Sequence, residues 1–242
     1  MIEQHILLAK DAGLRLMGMF RLVSGALMAA LMVGSLDRVA AAQTAMGADS
    51  RNPATQFKDT SMLKPPPGAK VAIVEWEDLE CPACAHAFPI VHVEAKQYGI
   101  PIVRYDWPLP MHVWSRDAAI IARYIQDKIS PSGAEEYRRE VFASQTQIAS
   151  KDDLQRFTQK FFANNGKQLP FVIDPTGQFA REVGADAALA DRAGLGHTPT
   201  IVVVSAHRWI EILDVSKLTE AIDQLKADDA PAAAHRTTPA HK

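Results

Sequence analysis

The run VAIVEWE, residues 71–77, is short, β-branched and apolar, the pattern of a buried central strand. Four residues later CPACAHAFPIVHVEAKQYG predicts a helix. Cys81 stands at the N-cap and Pro82 at the first helical position, where a missing N–H is harmless, and Gly99 supplies the stop. IPIVRYDW, residues 100–107, predicts a second strand. A strand, helix, strand order with so long a crossover predicts a parallel pair in a right-handed βαβ unit. From Trp114 to about Ala193 the apolar spacing turns helical, through SRDAAIIARYIQD, SGAEEYRREVFAS, SKDDLQRFTQKFFANNG and DPTGQFAREVGADAALADRAG, the last weakened by Gly184. TPTIVVV and WIEIL then predict two strands, and VSKLTEAIDQLKAD a closing amphipathic helix. Helices on a small mixed sheet make an α/β sandwich. One domain is expected over residues 69–226, with a helical insertion at about 114–193 between its βαβ and ββα halves. No internal repeat interrupts this order.

The two ends read differently. Residues 22–36, LVSGALMAALMVGSL, carry no charge and follow Lys10, Arg15 and Arg21; a small-residue run, VAAAQ, comes after. A basic segment, an apolar segment and an A-x-A-like site make a secretory signal peptide, here residues 1–42, with Ala40 and Ala42 at the small positions. The stretch before Met17 is long for its basic region, which makes Met17 or Met19 an alternative start. A retained anchor is the other reading, although the apolar run falls short of the roughly 20 residues of a membrane span. Residues 43–68 are polar and end in three prolines, which predicts a linker or extended arm. Residues 227–242 are expected to form a disordered tail.

Composition changes this picture little. The chain of 242 residues is 48% hydrophobic, a figure raised by the apolar N-terminal run, and carries a formal net charge of −2. No lysine or arginine run could replace the counterions of a phosphate backbone, so no nucleic-acid partner is expected.

Both cysteines lie in LECPACAHAFP, residues 79–89, three positions apart. As a structural staple the pair closes almost no chain and removes little unfolded-state entropy. As a zinc clip it lacks a second pair, and His86 and His92 on the same helix are badly placed to close a tetrahedron. No metal and no cofactor is therefore expected. As a redox centre the pair has a mechanism. A cysteine at a helix N-terminus faces unpaired N–H groups and the positive end of the helix dipole, both of which favour thiolate. Cys81 is the predicted nucleophile and Cys84, one turn in, the resolving partner. A lower pKa also makes Cys81 a better leaving group, so the disulfide becomes more oxidising. Glu77, Asp78 and Glu80 crowd the same turn and should oppose the thiolate.

The strand, the Cys-Pro-Ala-Cys and the helix resemble the thioredoxin fold, and the helical block before GHTPT resembles the DsbA-like branch of exported thiol-disulfide oxidoreductases. Glu75 lies six residues before Cys81, where that family carries a buried acid. Pro89 lies five after Cys84, where it carries a kinking proline. RYDWPLPMH, VFASQTQI and GHTPTIVV look like further stations, so the resemblance spans about residues 68–226.

The resemblance implies that Thr198-Pro199 is a cis-proline loop lying against the cysteines, its Thr198 backbone pairing with an extended substrate; otherwise Pro199 merely starts a strand. It implies that Glu75, raised in pKa by burial, accepts the proton of Cys84; otherwise an acid there is simply solvated. Ala83 stands where the strongest oxidants of the family carry histidine. Trp76 is expected beside the active-site helix and His112 as a loop hydrogen-bonder. His197 replaces an expected glycine and either tunes the thiolate or points away. The SAHR hairpin lacks a tip glycine, which predicts a longer or strained turn.

The expected function is an exported thiol-disulfide oxidoreductase acting on cysteine-containing exported proteins, as an oxidase recharged by a membrane redox partner. Dimeric isomerases of the family carry a separate dimerisation domain, for which residues 43–68 are too few; a monomer is expected. The alternatives are a reductase or isomerase of the same fold, and a non-catalytic chaperone gripping peptides through the Thr198 loop.

Overall fold

A computed structural model of the chain describes residues 57–228. The expected signal peptide lies outside them, as do residues 43–56 of the expected arm and residues 229–242 of the expected tail.

Strand β1 (Val71–Glu77) is buried throughout and runs into helix α1 (Pro82–Tyr98), which ends on Gly99. Gly99 has φ 62°, a left-handed conformation that glycine adopts without steric cost, and its N–H returns to the carbonyls of Ala95 and Lys96. Strand β2 (Ile102–Asp106) pairs parallel to β1 and places Arg104 opposite Glu75 and Asp106 opposite Glu77. Four helices follow: α2 (Ser115–Lys128), α3 (Pro131–Ala143), α4 (Lys151–Asn164) and α5 (Gln178–Ala193). Ser130 and Ser150 cap α3 and α4, each accepting from a backbone N–H three residues on. Strands β3 (Thr200–Ser205) and β4 (Trp209–Glu211) and helix α6 (Leu218–Asp228) complete the chain. The sheet order is β2-β1-β3-β4, with β3 antiparallel to both neighbours. The mixed sheet and the helical block thus stand where the sequence pattern puts them.

Strand alternation divides the core. Val71, Ile73, Ile201 and Val203 pack with Ala87, Val91 and Ala95 of α1 and with Ile222 and Leu225 of α6. Ala72, Val74 and Trp76 point to the other face, among Ala190 and Ala193 of α5. Trp76 therefore does not lie beside α1 as expected. It is one residue out of phase with the helix-facing set, and stacks on Tyr105 at 4.9 Å. A third cluster joins α1 to the inserted helices and contains both cysteines with Phe88, Trp114, Tyr137 and Phe162.

Two further expectations are corrected. Residues 57–68 are not a linker: Met62 and Leu63 are buried against Trp76 and Val204, Phe57 meets Trp209 edge-on, and the Lys58 N–H donates to the Ala193 carbonyl at 2.8 Å. Their few apolar residues close the sheet face that α5 leaves open. At the other end α6 continues to Asp228, so residues 227 and 228 belong to a helix rather than to the tail. The β3–β4 connection keeps three residues, 206–208, between the strands, the longer turn expected without a tip glycine; the Ser205 hydroxyl accepts from the His207 and Arg208 N–H groups while the Ser205 N–H donates to the Arg208 carbonyl at 2.8 Å.

Candidate active site

Strand β1 delivers the chain to a turn at residues 78–80, and the Cys81 N–H donates to the Asp78 carbonyl at 3.0 Å. Cys81 is the N-cap of α1 in extended conformation, and its side chain makes no capping hydrogen bond. Its sulfur thus lies at the opening amides of the helix, those of Ala83 and Cys84. Both cysteines are free thiols, 7% and 2% exposed for Cys81 and Cys84. Cys81 Sγ, when protonated, donates to the Thr198 carbonyl at 3.4 Å, and the Thr198–Pro199 bond is cis. The Asp78 N–H donates to Cys84 Sγ at 3.4 Å. Pro82 and Ala83 are exposed beside Cys81.

The two sulfurs titrate apart. Donation from Cys84 lowers the Cys81 pKa to about 5 against the opposing effect of burial. The Thr198 side chain and the N–H groups of Cys84 and Ala83 add to the lowering. Burial pushes Cys84 up, and the hydrogen bond and charge of Cys81 push it further. Glu77, Asp78 and Glu80 do not prevent the low value for Cys81, because each is engaged elsewhere in the turn.

Those engagements come from the β2–α2 loop and the inserted helices. Glu77 pairs with Arg138 of α3 at 2.7 Å. The Asp78 carboxylate accepts from the Leu109 N–H at 2.7 Å, from the Glu80 N–H at 2.8 Å and from His112 Nδ1 at 2.7 Å. Glu80 accepts from the N–H groups of Trp114 and Ser115 at 2.7 and 3.0 Å, and so caps α2, whose own N-cap side chain does not. The Gln145 amide donates to the carbonyls of Leu79 and Cys81 at 2.9 and 3.0 Å. Every residue from 77 to 81 is held by a group lying between residues 109 and 145. Sequence reasoning missed this. VFASQTQI stands out in the sequence only as a station of the resemblance, and no local pattern singles out Gln145 or Arg138.

Glu75 is 3% exposed, which removes the solvated reading. Burial raises its pKa well above the ordinary carboxyl value, and the Glu77 charge adds to this while Arg104 opposes it. Arg104 Nε lies 3.8 Å from Glu75 and 3.0 Å from Glu77. A single arginine inside an apolar strand was the signal for a buried acid partner, and the parallel register supplies the address. His112 makes the loop bond expected of it. His197 is exposed and spends Nδ1 on the Pro199 carbonyl at 3.1 Å. Among the described residues no three His, Cys, Asp or Glu side chains converge as a metal site.

A thioredoxin family model matches residues 58–224. The chain belongs to the thioredoxin family. Its solved structural relatives include BdbD from Bacillus subtilis, in the oxidised state, with a TM-score of 0.55 at 17% identity over 72% of this chain and 96% of that one. DsbA2 from Pseudomonas aeruginosa superposes with a TM-score of 0.52 at 20% identity, over 69% of this chain and 95% of that one. ScsC from Proteus mirabilis, in a transitional conformation, gives 0.53 at 16% identity over 68% and 71%. These are likenesses of fold, and they include thioredoxin-family chains of the DsbA type. A search of the curated proteins finds no match.

Proposed function

We propose that the chain is an exported thiol-disulfide oxidoreductase that exchanges a Cys81–Cys84 disulfide with cysteines of protein substrates, acting as an oxidase. The observation that carries this reading is the asymmetry of the pair: Cys81 lowered to about 5 at a helix N-terminus, Cys84 buried and raised. A thiolate at neutral pH stabilises the reduced form, and a protein whose reduced form is stabilised is an oxidant. Cys81 is attacked by a substrate thiolate, the Cys81–Cys84 bond breaks, and Cys84 leaves with the electron pair. A second substrate thiolate then displaces Cys81, whose low pKa makes it the better leaving group. Thr198 borders Cys81 and offers backbone to an extended substrate, with Pro199 and Pro82 shaping the rim. Fold likeness to DsbA-type chains and the apolar N-terminal run of residues 22–36 support an extracytoplasmic, periplasmic setting. Substrates there are exported chains with free cysteines, a membrane redox partner restores the disulfide, and the protein works as a monomer.

Two assays test this. Refolding of a reduced disulfide protein should be accelerated by the oxidised form and not by Cys81→Ser; insulin reduction with a thiol donor should depend on the same residue. Equal performance of Cys81→Ser and wild type in both assays sinks the redox reading and leaves a peptide-binding chaperone. Activity confined to the insulin assay reverses the direction to reductase.

A further inference from the structure

Behind the cysteines lies an ionic network, buried except at Glu135, whose charges do not balance. Glu75 and Glu77 of β1, Asp106 of β2, Glu135 of α3 and Asp186 of α5 face Arg104 of β2, Arg123 of α2 and Arg138 of α3. Cys84 and His92 of α1 border the same space. His92 takes no part in the balance, since its Nε2 accepts from Arg104 at 2.9 Å, and burial, followed by the Arg104 charge, lowers its pKa. Glu135 is 41% exposed and can stay ionised in water; the remaining four carboxyl groups outnumber the three guanidinium groups by one, and unpaired buried carboxylates are too costly to keep ionised.

The place of the excess proton is marked by unused oxygens. Glu75 and Glu77 are two apart on one strand, so their side chains share a face. Each presents one oxygen, Oε1, to Arg104. Arg138 donates to Glu77 Oε1 at 2.7 Å and to Asp106 at 2.7 and 3.1 Å. The remaining oxygens, Oε2 of Glu75 and Oε2 of Glu77, are both buried without a hydrogen-bond partner. The two carboxyl groups lie within hydrogen-bonding reach of each other, so one proton between them satisfies both.

We propose that Glu77 completes a carboxyl pair with Glu75 that holds one shared proton beneath Cys84, and that this pair, rather than Glu75 alone, is the proton store of the exchange reaction. The inference rests on the oxidoreductase reading for its chemistry. In the oxidising direction the substrate sulfur bonds to Cys81 Sγ and the Cys81–Cys84 bond breaks. The electron pair passes to Cys84 Sγ, which takes the shared proton. The pair becomes a dianion held between Arg104 and Arg138 until solvent returns a proton. In the reverse direction the pair first gives its proton to solvent, and the dianion then accepts the Cys84 proton. The raised titration of Glu75, and the place of Glu77 among the charges acting on Cys84, agree with this geometry. Glu77 is a positioning residue here, acting through Glu75.

Infrared titration of the carboxyl C=O stretch tests the pair without turnover. Wild-type protein should show a protonated carboxyl at neutral pH that Glu75→Gln removes. Glu77→Gln, by deleting the neighbouring charge, should lower the midpoint of that band by about one pH unit or more, a roughly tenfold fall in the ratio of protonated to ionised carboxyl at a given pH. Glu77→Asp keeps a charge between the arginines while withdrawing it from Glu75, and should shift the midpoint the same way by less. An unchanged midpoint in either folded variant overturns the proposal, as does a wild-type spectrum with no protonated carboxyl at neutral pH. Failure here leaves the redox function standing, whereas inactivity of the wild type in the refolding and insulin assays would remove the chemistry and leave the carboxyl pair.

Discussion

Cys81 and Cys84 are chemically identical residues three positions apart, and their surroundings set them at opposite ends of the thiol range. Cys81 meets donors: the Cys84 thiol first, then Thr198 and the opening amides of the helix. Cys84 meets apolar wall and the charge of its partner. Ultraviolet titration of the reduced protein should therefore show one thiolate appearing with a midpoint at about 5, absent from Cys81→Ser. The folded-state value lies below that of an unfolded cysteine, about 8.5. The resulting stabilisation of the reduced fold is then fully present above the unfolded value and is lost as pH falls through about 5. Reduced-protein stability should accordingly lose this contribution on acidification across that window, a loss missing from Cys81→Ser and checked by urea unfolding at several pH values.

At the scale of elements, the inserted helices do more than cover the sheet. They present Arg138, Gln145 and the start of α2 to a five-residue turn, and Leu109 and His112 of the preceding loop add two more groups. Gln145 is the element of this bracket that carries no charge and touches the N-cap directly. Gln145→Ala should cost about 1–3 kcal/mol, the price of two carbonyls losing their donor in a mostly enclosed site; urea denaturation measures it. The same substitution should raise the Cys81 titration midpoint, because a turn released from its bracket no longer holds the sulfur over the helix amides. A variant that is destabilised with an unmoved midpoint would show that the bracket serves folding alone.

At the largest scale, the described residues form a sheet closed on one face by α1 and α6 and on the other by α5 together with residues 57–63. That second face predicts the effect of shortening the chain. Beginning it at residue 69 exposes the pocket filled by Met62 and Leu63, and Leu63→Ala alone should cost about 2–5 kcal/mol as a buried leucine truncation. Calorimetry of both forms gives the comparison. The thiolate has a consequence at this scale too. A reduced state stabilised by ionised Cys81 should melt above the oxidised state at neutral pH, the reverse of an ordinary structural disulfide. Equal or inverted melting temperatures would argue for a reductase.

The amino-acid sequence by itself determined the order of elements. Short β-branched runs, helical spacing, serine caps and the glycine at position 99 are local signals that tertiary context reinforces here. It also determined the two sulfurs and their place at the start of α1, because Pro82 and the strand before it leave no other local solution. The partners were decided only in three dimensions. Trp76 turned to the far face through one step of strand alternation, and residues 57–68 joined the core because a sheet face lay open to them. Arg104 found Glu75 and Glu77 through parallel register, and Arg138 and Gln145 reached residues 77–81 across more than sixty positions of chain. A contact that distant leaves no periodicity in sequence; packing alone creates it.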